Sequence, residues 1–241
     1  MNRDNTPMPD RPYNLAIETS GRSGSVTLGR GDDVLESIEL QNKRRHNVEL
    51  IPTIDALCKK HGVSPGGVGQ GYVSLGPGSF AGLRVGVTTA KMLALASGIE
   101  VFGISTLDVL AENAPQEAQH VAVCLNLKRE TVHCSVYARV DENRSAVIEP
   151  KLRTIEELLG ACPRPVSLIG DPLPAIPDDL AEGVNILPPE AAVGRSLAVW
   201  KLGRLAAATR PPDDPMKLAP LYIREPEAVA IWNERYGEGG P

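Results

Sequence analysis

The sequence predicts an α/β protein built from two similar halves. Three observations carry this: short apolar runs of strand length bounded by turn formers, stretches where the apolar spacing changes to a helical period, and an order of elements that restarts near the middle of the 241 residues. A chain of this length buries roughly 70–75% of its unfolded surface, enough for one large domain or two lobes.

Tyr13 to Ile17 alternates and stops at Glu18-Thr19-Ser20-Gly21, a cluster of turn formers that closes a first strand. Ser25 to Leu28 is a second strand, Gly29 to Asp32 turns the chain, and Val34 to Leu40 is a third, so the chain opens as an antiparallel meander. Asn47 to His61 has helical spacing through Val48, Ile51, Ile54, Asp55 and Cys58 with Leu50 and Leu57, with Asn47 as the expected N-cap and Pro52 tolerated near the first turn. Gly71 to Leu75 is a strand, and a glycine loop leads from it into a helix from Phe80 to Ser97. Val101 to Ile104 is a strand, after which Ser105 caps a short helix, Thr106 to Asn113. The order then begins again, with strands at Val121–Leu125, Val132–Val140 and Ala146–Ile148, a helix at Thr154–Cys162, a strand at Val166–Ile169 and a final helix at Ala191–Thr209.

This is β-β-β-α-β-α written twice, the second copy looser and Pro-rich between Pro172 and Pro189. Two such halves side by side suggest an actin-like duplicated fold with ligands between the lobes, and a single α/β domain is the plainer alternative. The predicted organisation is a disordered segment 1–12, a first lobe 13–115, a second lobe 116–210 and a tail 211–241.

Charge and composition exclude several functions. Against 30 Asp and Glu stand 25 Lys and Arg, a net charge of −5 that has the wrong sign for gripping nucleic acid directly. Aromatics at 4% leave little for a base-stacking platform. Cys58, Cys124, Cys134 and Cys162 have no C-x-x-C spacing and read as reduced, buried thiols. The start has no apolar signal region and no stretch reaches the ~18 apolar residues of a span, so the expected location is cytoplasmic, without membrane contact.

The densest chemical signal is Ser74 to Gly86. Gly76 and Gly78 allow positive φ around Pro77, and Ser79 is placed to cap the helix starting at Phe80. Such a start can hold an anion, but the spacing is not G-x-x-x-x-G-K-S/T and no lysine reaches toward phosphate, so the loop is either an anion cradle or a tight strand-to-helix turn. Along this helix Gly82, Gly86, Ala90 and Ala94 recur every fourth residue and form one small-residue stripe. Each interior glycine costs roughly 1 kcal/mol relative to alanine, so the stripe predicts a close neighbour: the protein's own elements, or a helix of another chain.

Glu18, with Thr19 and Ser20, stands where an actin-like nucleotide-binding strand places an acid near magnesium. The equivalent strand end in the second half carries Asn126, which has no charge for such work. His46, His61, His120 and His133 form no H-E-x-x-H pattern, and no G-x-S-x-G elbow is present, so local metal and serine-hydrolase chemistry lack support. Lys43-Arg44-Arg45 reads as a solvated loop before a nucleic-acid contact.

Leu15 to Ser20, His46 to Pro52, the Gly76 to Gly86 loop and helix, Ile104 to Leu107 and the tail Pro220-Leu221-Tyr222-Ile223-Arg224 resemble the TsaB family, also called YeaZ. The resemblance is strongest over Tyr13 to Asn113, and Gly-Pro-Gly-Ser-Phe running into Gly-Leu-Arg-Val-Gly is its most specific part. It implies a duplicated actin-like (ASKHA, ribonuclease H-like) fold of two βββαβα lobes with the second degenerate. It also implies a non-catalytic subunit that pairs with TsaD and the ATPase TsaE for threonylcarbamoyl transfer to adenosine 37 of tRNAs reading ANN codons. A homodimer in isolation, tRNA met through the complex, no intrinsic cofactor, and ATP or ADP at the interface with the partner belong to the same expectation.

Carried onto this sequence, the resemblance places Val48, Ile51 and Asp55 of the first helix and Gly82, Arg84, Gly86, Ala90 and Ala94 of the second at the partner interface, with Gly76, Pro77, Gly78 and Ser79 as a structural loop. Glu18, Thr19 and Ser20 remain as a residual nucleotide cleft. The sequence departs from the family's usual Asp at Glu18, Asp-Ala-Arg or Asp-Ala-Lys at Asn126-Leu127-Lys128, and Thr at Ala81. The competing class is an independent enzyme, a metallopeptidase or an actin-like small-molecule kinase. Either would want a metal-ligand pair near His46 or an acid at Asn126.

Overall fold

The structure, a computed structural model, describes residues 12–41, 46–126 and 131–223, without the side chains of residues 46, 65 and 126. The expected N-terminal segment up to residue 11, the Lys43-Arg44-Arg45 run, Leu127-Lys128 and the tail from Arg224 lie outside the described residues.

Each half begins with three antiparallel strands, of which the first two are buried on both faces and the third is a mostly exposed edge. In the first half these are β1 (Tyr13–Glu18), β2 (Ser25–Arg30) and β3 (Asp33–Glu39). Helix α1 (His46–Lys60) follows, then β4 (Val68–Gly76), α2 (Phe80–Ser97), β5 (Glu100–Ser105) and α3 (Thr106–Ala111). The second half contains β6 (His120–Asn126), β7 (Thr131–Val140), β8 (Asn143–Thr154), α4 (Ile155–Ala161), β9 (Val166–Ile169), β10 (Val184–Ile186) and α5 (Ser196–Thr209). The first sheet has the order β3-β2-β1-β4-β5 and the second β8-β7-β6-β9-β10, so one topology occurs twice and the fold is a duplicated actin-like one. Both sheets are mixed: β1 runs parallel to β4 and β6 parallel to β9, while each meander is antiparallel.

Five layers result. Leu50, Ile54 and Leu57 of α1 and Val87, Ala90 and Ala94 of α2 pack on one face of the first sheet, against Leu15, Ile17, Val26 and Leu28. Its other face takes α5 through Ala198 and Val199, which meet Ala16, Tyr72 and Phe102. Helix α3 stands between the sheets, with Val109 toward the first sheet's side and Leu107 and Leu110 against Val121, Val123 and Ile169 of the second. Finally α4 covers the outer face of the second sheet through Ile155, Leu158 and Leu159.

Several expectations are corrected. The final helix starts at Ser196, not at residue 191; a 3-10 turn covers Pro189–Ala192, and Gly194 is held against Glu18, where a Cβ would stand 2.9 Å from Glu18 Cδ. Although last in the second half by order, α5 packs across the first sheet. Asn47 lies inside α1, which begins at His46. Strand β8 is longer than expected because it is the sheet's edge, where Pro150 has no second ladder to break. Strand β10 was unexpected within the Pro-rich stretch.

Candidate functional site

The end of β1 and the glycine loop are built into one another. Ser79 N donates to Ser20 O at 2.6 Å, and Thr19 Oγ1 donates to Gly82 O at 2.8 Å. Gly76 has a φ of 113°, which favours glycine, and a Cβ there would stand 2.7 Å from Leu221 O. Gly78 is needed for room, since a Cβ would overlap Ser20 O; the expected positive φ is found at Gly76 alone of the two. Ser79 caps α2 as expected, its hydroxyl accepting from Gly82 N at 3.3 Å. Three amides of the loop and first turn, Ser79, Gly82 and Leu83 N, donate within the chain and so serve the fold.

Glu18 and Thr19 are fully buried and Ser20 nearly so. Glu18 Oε1 accepts from Ser20 N at 2.5 Å and Oε2 accepts from the Ser74 hydroxyl, with Gly194 packed over the carboxyl group. This corrects the reading of these three residues as a residual nucleotide cleft. Their side chains lock the strand end to the loop and to the turn before α5, and present no open carboxylate.

The small-residue stripe is also internal. Gly82, Gly86, Ala90 and Ala94 are all buried; a Cβ on Gly82 would overlap Thr19 O, and one on Gly86 would overlap Thr19 Oγ1. The close neighbour is β1 of the same chain, so these four positions are corrected from partner interface to core. Val48, Ile51, Asp55 and Arg84 fare differently, for all four are exposed.

Strand pairs Glu18–Ser25 and Ser25–Glu39 put the ends of β1 and β3 at one end of the sheet, and β4 runs parallel to β1. Helices α1 and α2 consequently start at that same end and run side by side. Their outward side exposes Val48 by 60%, Ile51 by 53%, Met92 by 56% and Leu95 by 51%. Asp55 and Lys59 make an exposed i,i+4 ion pair at 2.7 Å on this side. An apolar cavity of about 280 Å³ opens between the helices, lined by Ile51, Ile54, Cys58, Leu93 and Ile99. Scattered single apolar residues on a surface need no explanation, but exposed apolar residues on two neighbouring helices with an apolar cavity between them suit an interaction site.

A second cavity, about 450 Å³, lies between α3, α5 and β8 and is lined by Asp108, Tyr137, Arg144, Glu149, Leu202 and Leu205. Tyr137 OH donates to Asp108 Oδ1 at 2.7 Å. Burial raises the Asp108 carboxyl, with Glu149 and Glu112 adding to the shift. Neither residue had a signal in the sequence, because Asp108 looks like an ordinary acid of a helix first turn. Burial also raises the thiols of Cys58, Cys124 and Cys134, and that of Cys162 to about 11; all four are free. Among the described residues, no group of three His, Cys, Asp or Glu is placed to hold a metal ion, and no helix is long and apolar enough to cross a membrane.

Fold and site together define a duplicated actin-like protein whose first-strand acid is sealed inside and whose two outer helices are uncovered. A family model described as "TsaD: tRNA N6-adenosine threonylcarbamoyltransferase" matches residues 33–202. The Bacillus subtilis "tRNA threonylcarbamoyladenosine biosynthesis protein TsaB" is 27% identical over 230 residues, covering 91% of this chain and 97% of that protein. The Escherichia coli protein of the same description is 30% identical over 147 residues, 57% of this chain and 63% of that one. The solved structure of "YeaZ from Pseudomonas aeruginosa" superposes with a TM-score of 0.72 at 22% identity, over 87% of this chain and 100% of that one, which shows the shared fold. The chain belongs to the family that the model describes and, within it, to the TsaB (YeaZ) proteins.

Proposed function

We propose that this chain works in the biosynthesis of threonylcarbamoyladenosine on tRNA, as a non-catalytic subunit that docks a TsaD-type subunit through the outer side of α1 and α2. The observation that carries this reading is the exposed stripe of Val48, Ile51, Met92 and Leu95 beside an apolar cavity. The partner performs the acyl transfer and presents the tRNA, consistent with a net charge of −5 on this subunit. A TsaE-type ATPase joins the assembly, and any ATP or ADP sits at the interface with the partner, away from the sealed Glu18. In isolation the same apolar stripe pairs two copies of the chain.

The experiment mixes the purified chain with a TsaD-type subunit and follows complex formation and tRNA threonylcarbamoylation. A 1:1 complex is expected, with modification only when both are present and loss of both by Ile51→Asp. Full modification by either protein alone defeats the proposal.

A further inference from the structure

The described chain ends against the start of α2. Residues 211–223 leave α5 and run along the open edge of the first sheet, where Asp213 N donates to Val101 O at 2.8 Å and Asp213 Oδ2 accepts from Gly103 N at 2.7 Å. Leu218 is buried in the core under α1 and α2, and Leu221 N donates to Leu75 O at 2.7 Å. Tyr222 then lies over Phe80 at the start of α2, ring centroids 4.8 Å apart. The Arg84 guanidinium stands 3.8 Å from the Phe80 ring centroid, and its Nε donates to Tyr222 OH at 3.2 Å.

All three side chains are exposed, which is notable in a chain with only 4% aromatics. Among the described residues no carboxylate pairs with Arg84, and no hydrogen bond takes up its two terminal amino groups. The ring beneath and the hydroxyl at Nε hold the fork in one orientation, so little rotamer freedom remains to be lost when an anion binds. A planar guanidinium held in this way matches a carboxylate in bidentate geometry, and Arg and Tyr are the residue types that dominate interface energies.

We infer that the Phe80–Arg84–Tyr222 cluster is a carboxylate receptor on the docking face: the partner subunit places an Asp or Glu side chain on Arg84. Tyr222 acts as a positioning residue that holds the fork, so the strap from α5 sets the strength of docking. The inference rests on the docking reading of α1 and α2 and adds the chemistry of the partner's contact.

The test titrates the full chain with the TsaD-type subunit at low and high salt. Arg84→Lys, which keeps the charge and loses the fork, is expected to weaken association about tenfold. Tyr222→Phe is expected to weaken it about threefold. Both keep the cation, so the salt dependence should persist in each, whereas Arg84→Gln, which removes the cation, should flatten it; all three should leave the melting temperature unchanged. If Arg84→Lys and Tyr222→Phe bind like the original chain while Ile51→Asp does not, the receptor is overturned and the docking face stands. If Ile51→Asp binds normally, the docking reading falls and the receptor with it. The full chain carrying Glu225→Gln, Glu227→Gln, Glu234→Gln and Glu238→Gln together should bind within about twofold of the original. If that variant instead binds more tightly, and the gain is lost on adding Arg84→Lys, a carboxylate of the chain's own tail holds the fork and the inference is overturned.

Discussion

The two lobes share one strand order and differ in what covers their outer faces. On the first lobe lie α1 and α2, of 15 and 18 residues; on the second lies α4, of 7. Two interior glycines show the consequence. A Cβ on Gly86 would overlap Thr19 Oγ1, whereas a Cβ on Gly160 of α4 meets nothing within 4 Å. Duplication kept the sheet and let the helical layer diverge. One copy draws its helix down onto the strand end and exposes a broad outer face. The other covers its core with a short capped helix and a Pro-rich segment.

The largest expected effect breaks the tight side. Gly86→Leu should destabilise the fold by about 3 kcal/mol or more, because backbone and strand end must separate to admit the side chain. Thermal melting checks this; a melting temperature within about 2 °C of the original would show the α2–β1 contact to be loose. The next concerns the outer faces. Ile51→Asp should abolish docking with little loss of stability, while Ile186→Asp, at an equally exposed apolar position in the second lobe, should leave docking unchanged. Equal losses from both would remove the functional contrast between the lobes.

Much of the first lobe was legible from local signals. The bounds of α2 follow from the Ser79 cap at one end and from Gly98, with φ 67°, at the other. The capping box of α4, Thr154 with Glu157, likewise sits where the apolar spacing starts. What the stripe touches was not legible. Spacing at every fourth residue announces a close neighbour but does not say which, and Thr19 lies 63 residues from Gly82. The stripe is therefore core, whereas Val48, Ile51, Asp55 and Arg84, expected at the same interface, are exposed. The Phe80–Arg84–Tyr222 cluster was invisible for the same reason, since Arg84 and Tyr222 are 138 residues apart. Gly194, too, gave no sign that its lack of a side chain admits the Glu18 carboxyl group.

A smaller effect sharpens the glycine comparison from the other side. Gly160→Ala should stabilise the second lobe by about 0.5–1 kcal/mol, since the position is helical, exposed and open, and alanine reduces the freedom of the unfolded chain. Denaturant titration reads this as a higher midpoint with unchanged slope. Destabilisation would mean that α4 is packed more tightly than the open space at Gly160 indicates.

The smallest effect lies where the lobes meet, at Asp108 of α3 and Tyr137 of β7. Burial raises the folded-state pKa of Asp108 above the ordinary 3.8, so the charged form is less favourable in the folded chain than in the unfolded one. Below about pH 4 both states hold the proton and no cost arises. As pH rises the unfolded chain releases it first, and stability falls until the raised folded pKa is passed. Asp108→Asn keeps an oxygen for the Tyr137 hydroxyl and removes the titration. Its stability relative to the original chain should therefore climb from pH 4 upward and level off, as read by urea midpoints across that range. Parallel curves would mean that the carboxylate is solvated through the neighbouring cavity and that the lobes meet there in water.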